Sequence, residues 1–356
     1  MKILFVTDLY PIGEEKIAKA LFYFVQEWQK MGHEVDVIRA NFISNTLIRG
    51  RKIVEEKLYE ENGTKIYNLN FHTPFLFNVY NKLPNDFSLK NYDIMISHMP
   101  CGALMAQKLL KKDKIKYICS VHASDITVLT DWKYLPFRKN LKKAYKLADT
   151  ISARSPILKA KIEKIIPNNK TFIAYSGIDI EPIEKTRNKE LTITTVASLI
   201  KRKNIDVIIK ALNEMPQIKL KIIGSGCEEK SLKKLVKNSN IQFLGQLQQP
   251  LVIEQLKKSD IFVLLSDNET FGLSYLEAMA TGNIVIGKKG EGIDGIIKNN
   301  ENGFLINSNA EELKNCINKI ISLKEDELST IKANCTETIK NLTNTNAAKN
   351  YLKNIQ

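Results

Sequence analysis

Short β-branched, apolar runs alternate along this chain with longer stretches whose apolar residues fall at helical spacing. No other feature limits the fold as tightly. Residues 2–7 read as a buried strand, and 15–30 as a helix with Ile17, Leu21, Phe24, Val25 and Trp28 on one face. A second strand at 34–39 is entered through Gly32, a natural helix C-cap. Further strands fit 65–69, 93–97, 116–121, 150–152 and 171–174. Strands joined by helical crossovers run parallel and carry helices on both faces, which predicts a doubly wound domain. After a polar, turn-forming stretch at 176–190 the pattern restarts. New strands fit 191–197, 219–223, 241–244, 261–265 and 284–286, with helices at 205–213, 228–237, 251–257 and 273–280. The fold class is therefore α/β, with two Rossmann-like doubly wound domains facing a cleft at the carboxyl ends of their strands. The expected domains are 1–175, 176–335 and a helical segment at 336–356, with a return to the first domain as one option.

A chain of 356 residues suffices for two such domains. A hydrophobic content of 44% excludes general disorder, and no run approaches the roughly 18 apolar residues of a membrane span. The opening residues reach Asp8 before an apolar h-region forms, so no signal peptide is expected. Cys101, Cys119, Cys227, Cys316 and Cys335 form no C-x-x-C pair and fit reduced thiols. His33, His72, His98 and His122 lack ligand spacing, so no metal is expected. The formal net charge is +14. Residues 1–100 balance at 12 of each sign, whereas 101–170 carry 16 Lys+Arg against 5 Asp+Glu. Such a surplus is either a solvated basic face or a patch for a polyanionic surface. Within it, 135–148 reads as an amphipathic helix: Leu141, Ala144, Tyr145 and Ala148 face inward, and Arg138, Lys139, Lys142, Lys143 and Lys146 outward. No reader motif or aromatic stacking series accompanies the lysines, so nucleic acid is not the expected partner.

The segment from Ser266 to Gly282 follows an apolar strand and opens a helix, which places it at the mouth of the second sheet. Glu269 falls in the turn and Glu277 on the helix. Phe271, Gly272 and Leu273 would present backbone N–H groups at the helix N-terminus, where phosphates are stabilised, and the glycine permits close approach. The Glu277 carboxylate suits the hydroxyls of a ribose. Read alone, both carboxylates serve equally well as ordinary helix charges.

This segment resembles the E-x₇-E signature of retaining glycosyltransferases, specifically glycosyltransferase family 4 with the GT-B fold. The similarity continues through Leu9-Tyr10-Pro11-Ile12-Gly13, Gly32-His33-Glu34-Val35, Ser120-Val121-His122-Ala123-Ser124-Asp125 and Ala174-Tyr175-Ser176-Gly177-Ile178-Asp179. Residues 196–204, Ile223-Gly224-Ser225-Gly226 and Glu301-Asn302-Gly303-Phe304-Leu305 complete it. The resemblance implies transfer of a hexose from UDP or GDP to a hydroxyl of a cell-surface polysaccharide or lipid-linked glycan. It puts Glu269 under the donor sugar, Glu277 on the ribose, Gly272 and Leu273 on the diphosphate or ribose, and Lys203 on the diphosphate in place of a metal. It puts His122 near the sugar's far hydroxyl and Gly13 close to the phosphates. No cofactor is implied. The implied mechanism is same-face attack, with the departing phosphate taking the acceptor's proton.

Two departures stand out. Ser198 fills the place of an arginine that the family pairs with the lysine, leaving Lys201 or Arg202 as stand-ins. Glu14 follows a single glycine where two are usual. The implied location is cytoplasmic, with a peripheral position on the inner face of the membrane through residues 101–170 as an option. The rivals are an epimerase of the same two-domain plan, which would consume donor without acceptor, and a non-catalytic basic binding protein or silent partner subunit.

Overall fold

The computed structural model describes residues 1–11, 19–42, 58–71, 83–167, 169–183, 185 and 190–356. Gly13, Glu14, Ile17 and the expected start of the first helix lie outside the described residues. The chain forms two compact units: Met1–Tyr175 with Asn344–Gln356, and Ser176–Thr343.

The first unit is built on an eight-stranded sheet. Its strands are β1 (Lys2–Thr7), β2 (Glu34–Phe42), β3 (Leu58–Glu61), β4 (Thr64–Phe71), β5 (Ile94–His98), β6 (Lys116–Val121), β7 (Thr150–Ala153) and β8 (Thr171–Ile173). They lie in the order β3-β4-β2-β1-β5-β6-β7-β8. All neighbours pair in parallel except β3 with β4. Helices α1 (Lys19–Lys30), α2 (Met99–Leu109), α3 (Ala123–Thr130), α4 (Leu135–Lys146) and α5 (Pro156–Ile165) cover it. The residues of β1 show why the sheet needs helices on both faces. Leu4 and Val6 pack into one core with Leu104 of α2, Leu141 of α4 and Ile162 of α5. Ile3 and Phe5 point the other way, into a core with Leu21, Phe24, Val25 and Trp28 of α1. Period-two alternation between two apolar faces gives a strand without a polar side.

The second unit carries β9 (Thr192–Val196), β10 (Lys219–Ile223), β11 (Ile241–Gly245), β12 (Ile261–Leu264), β13 (Ile284–Lys288) and β14 (Phe304–Ile306). They form one parallel sheet in the order β11-β10-β9-β12-β13-β14. Helices α6 (Ile205–Asn213), α7 (Glu229–Leu235), α8 (Gln249–Lys257), α9 (Leu273–Ala280), α10 (Ala310–Ser322) and α11 (Glu325–Asn341) accompany it. The strand order reverses between β9 and β12, and a ligand crevice opens at such a point, above the carboxyl ends of the two strands.

The break before the final segment falls at Thr343/Asn344, and not at residue 336. Residue 336 lies inside α11, whose Cys335 and Ile339 are buried and whose Thr338 accepts a 2.9 Å bond from Asn302. The last helix, α12 (Asn344–Lys353), belongs to the first unit. Ala347, Ala348, Tyr351 and Leu352 fill the α1 side of its core, and Trp28 Nε1 donates to Ala348 O at 3.2 Å. Tyr351 sits among the rings of Phe24, Trp28 and Phe172, and its hydroxyl lies 2.7 Å from Ser152 Oγ.

Candidate active site

In the second unit the loops following β9 and β12 meet. The chain leaves β9 through Ser198 and makes a 3-10 turn at Lys201–Lys203. Asn204 then takes a left-handed conformation, φ 51°, and starts α6. Asparagine adopts that conformation at lower cost than other side-chain-bearing residues. Asn204 Nδ2 donates to Leu265 O at 2.8 Å and to Asp267 Oδ2 at 3.0 Å. Asp267 N donates to Arg202 O at 2.7 Å, and Lys288 of β13 forms an ion pair with the Asp267 carboxylate. These bonds stitch the two loops together and bring Lys203 Nζ to 2.6 Å from Glu269 Oε2. The two side chains keep only 11% and 15% of their exposure, so each charge relies on the other for most of its compensation. The Glu269 backbone is fixed as well: its N–H donates to Glu291 Oε2 at 3.0 Å and its carbonyl accepts from Gly292 N at 3.1 Å.

Three residues beyond Glu269, Gly272 forms the N-cap of α9 with φ 88° and no side-chain cap. A Cβ there would lie 2.6 Å from the Tyr275 ring, so both conformation and space call for glycine. The first amides of α9, uncapped by any side chain, present the positive end of the helix dipole. Phe271 is buried, while Leu273 is half-buried. Glu277, also half-buried, accepts a 2.8 Å bond from Gln249 Nε2 of α8, which orients its carboxylate. The Gly224-Ser225-Gly226 turn after β10 lies flat on the loop after β9: a Cβ at Gly224 would lie 1.8 Å from Ala197 O.

Ser198 is exposed. Lys201 and Arg202, the expected stand-ins for an arginine there, are exposed too, and the Arg202 guanidinium donates to Asp267 O at 3.2 Å. The structure thus brings together Lys203, Glu269, Gly272 and Leu273, with Phe271 and Glu277 on the same turn and helix. Gly13 lies outside the described residues.

In the first unit His122 ends the loop after β6 as the N-cap of α3. Its N–H donates to Asp125 Oδ2 at 3.0 Å, and its Nε2 lies 3.0 Å from Nδ1 of His98, the last residue of β5. Burial holds both histidines well below the usual imidazole range; Arg154 adds to this at each, and each ring therefore stays neutral at neutral pH. Burial also pushes the Asp125 carboxyl up to about 8 and Arg154 down to about 10. The Arg154 guanidinium stacks 4.8 Å from the Phe24 ring centroid. His98, Asp267, Glu291 and Gln249 were not singled out from the sequence as site residues. The one available signal was at His98, which closes a predicted strand just as His122 does.

Among the described residues no three His, Cys, Asp or Glu side chains are grouped as a metal site requires, and no helix is long and apolar enough to cross a membrane.

Comparison with known proteins places this geometry. The family model "Glycosyltransferase Family 4" matches residues 17–182, and "Glycosyl transferases group 1" matches 178–336. An uncharacterized glycosyltransferase of Methanocaldococcus jannaschii is 31% identical over 283 residues, covering 72% of this chain and 70% of that protein. Sucrose-phosphate synthase from Thermosynechococcus elongatus shares the fold with a TM-score of 0.78 at 16% identity, over 99% and 98% of the two chains. Anabaena HepE, solved with UDP and glucose, does so with a TM-score of 0.70 at 17% identity, over 100% and 99%. The chain is a glycosyltransferase of family 4 with the GT-B fold.

Proposed function

We propose that the chain moves a hexose from UDP or GDP to a hydroxyl of a cell-surface polysaccharide or lipid-linked glycan, with retention of anomeric configuration and without a metal. The observation that carries this reading is the Lys203–Glu269 pair, set where the strand order reverses and next to the uncapped start of α9. Lys203 and the amides of Gly272 and Leu273 hold the diphosphate, with Phe271 backing them and the exposed Ser198 at the rim. Glu277, oriented by Gln249, takes the ribose. Glu269 lies under the sugar and stabilises positive charge that develops at its anomeric carbon. His122 hydrogen-bonds a hydroxyl of the donor sugar. In the chemical step the bond from the anomeric carbon to the phosphate oxygen breaks, and the acceptor oxygen bonds to the same face. The acceptor's proton passes to the departing phosphate, whose charge Lys203 neutralises. The UDP and glucose bound by Anabaena HepE support the donor class.

The first unit supports a place on the cytoplasmic face of an anionic membrane. Lys139, Lys142, Lys143 and Lys146 form one exposed stripe along α4, and Trp132, Tyr134 and Leu135 are exposed at its start. Exposed aromatic and aliphatic side chains beside lysines suit the headgroup region of a bilayer.

Two variants test the donor site. Lys203→Ala is expected to weaken UDP or GDP binding by calorimetry about 10- to 100-fold, the worth of one charged hydrogen bond. Glu269→Ala is expected to cut turnover by orders of magnitude with folding intact. Unchanged affinity in the first, or near-normal turnover in the second, would remove the corresponding role.

A further inference from the structure

We propose that His98 is a positioning residue for His122: its Nδ1–H donates to His122 Nε2, so that His122 carries its own proton on Nδ1 and meets substrate as a donor. This rests on the role given to His122 above.

The geometry leaves His98 little else to do. Its ring is fully buried, stacked against Phe5 with centroids 4.8 Å apart and flanked by Tyr351 at 6.2 Å. It cannot turn without disturbing β1 and α12. Its Nδ1 faces His122 Nε2 at 3.0 Å, and its Nε2 is buried with no hydrogen-bond partner among the described residues. Two neutral rings in contact share a single N–H, and the nitrogen engaged by the partner decides which tautomer each ring adopts. If the His98 proton sat on Nε2, a buried N–H would be orphaned. With the proton on Nδ1 only a lone pair goes unpaired, which is the cheaper vacancy. The pairing of β5 with β6, in which His98 lies opposite Ser120, brings the two rings into register. Met99, directly after His98, is held at φ 69°. That conformation is uncommon for a residue with a side chain, and the surrounding packing must enforce it.

The test compares His98→Phe, which keeps a packed ring and loses the bond, with His98→Asn, whose amide restores a donor near Nδ1. In the full chain, His98→Phe is expected to lower kcat about 10- to 100-fold with little change in donor KM, the size seen for residues that orient a reacting group. His98→Asn is expected to recover most of that loss. The chain has four histidines, so ¹⁵N-histidine NMR can report on each ring. The wild type is expected to show His122 protonated on Nδ1, with a mixture of tautomers in His98→Phe. A wild-type His122 protonated on Nε2, a His122 signal unmoved by His98→Phe, or equal losses in the two variants would overturn the proposal. If His122→Ala keeps full turnover, the catalytic reading of His122 falls instead, and the NMR result still decides where the proton sits.

Discussion

Removing one partner of the Lys203–Glu269 pair exposes what the site costs the fold. Lys203→Met keeps the apolar stem and deletes the ammonium, leaving the Glu269 carboxylate at 15% exposure without its cation. Breaking a fully buried pair costs about 3–5 kcal/mol, and the residual contact with water here lowers that to about 2–3 kcal/mol. Glu269→Gln strands the lysine in the same way. In the double variant neither charge is orphaned, so its loss should be smaller than the sum of the single losses by about 2 kcal/mol. Urea denaturation followed by far-UV circular dichroism at low and high salt measures all four corners of the cycle. Little change with salt is expected, because the pair is largely shielded from solvent. A coupling energy below about 0.5 kcal/mol would show that the ion pair does not hold the two loops together, and would refute the reasoning.

Two further outcomes follow from other parts of the molecule. Trp132 is 73% exposed and Trp28, the other tryptophan, is fully buried, so a change in emission on binding reports on Trp132. Co-sedimentation with phosphatidylglycerol vesicles at low salt, with a blue shift, is expected. It should be lost when Lys139, Lys142, Lys143 and Lys146 are changed to Gln, since each contributes about 1 kcal/mol. Absence of vesicle binding, or retention on RNA instead, contradicts the membrane reading. Asp125 titrates near 3.8 when unfolded and is raised to about 8 when folded, so the folded chain binds more protons between those values. Stability from this site therefore falls as pH rises through about 4–8. The Tm of Asp125→Asn relative to wild type should climb from pH 5 to pH 8, and a constant difference would contradict the burial of that carboxyl.

Several elements carried their own boundaries in the sequence. Lys2–Thr7, Lys116–Val121 and Lys219–Ile223 read as strands with the ends the structure shows, and Ile205–Asn213 and Leu273–Ala280 likewise as helices. Elements with little burial escaped. β3 is four residues at a sheet edge with alternate residues exposed, although Asn62-Gly63, both at positive φ, is the turn of its hairpin. β14 is only three residues long. The return of α12 to the first unit was legible only as one option, because its apolar face would suit either core. In the site, Lys203, Glu269 and Gly272 were legible one by one from a family resemblance. Their contact was not, because Lys203 and Glu269 are 66 residues apart and meet only once β12 pairs with β9. The same holds for His98 and His122, 24 residues apart and joined by the pairing of β5 with β6.

The reaction itself offers the most direct test. The wild type and Glu269→Ala are incubated with α-linked UDP- and GDP-hexoses, with and without a lipid-linked glycan acceptor, in the presence of EDTA. Nucleoside diphosphate release is followed, and the product linkage is read by proton NMR. Release that requires acceptor, survives EDTA, yields an α-linked product and vanishes in Glu269→Ala is the predicted result. A β-linked product, or donor consumed without acceptor, would contradict retaining transfer at the Lys203–Glu269 site.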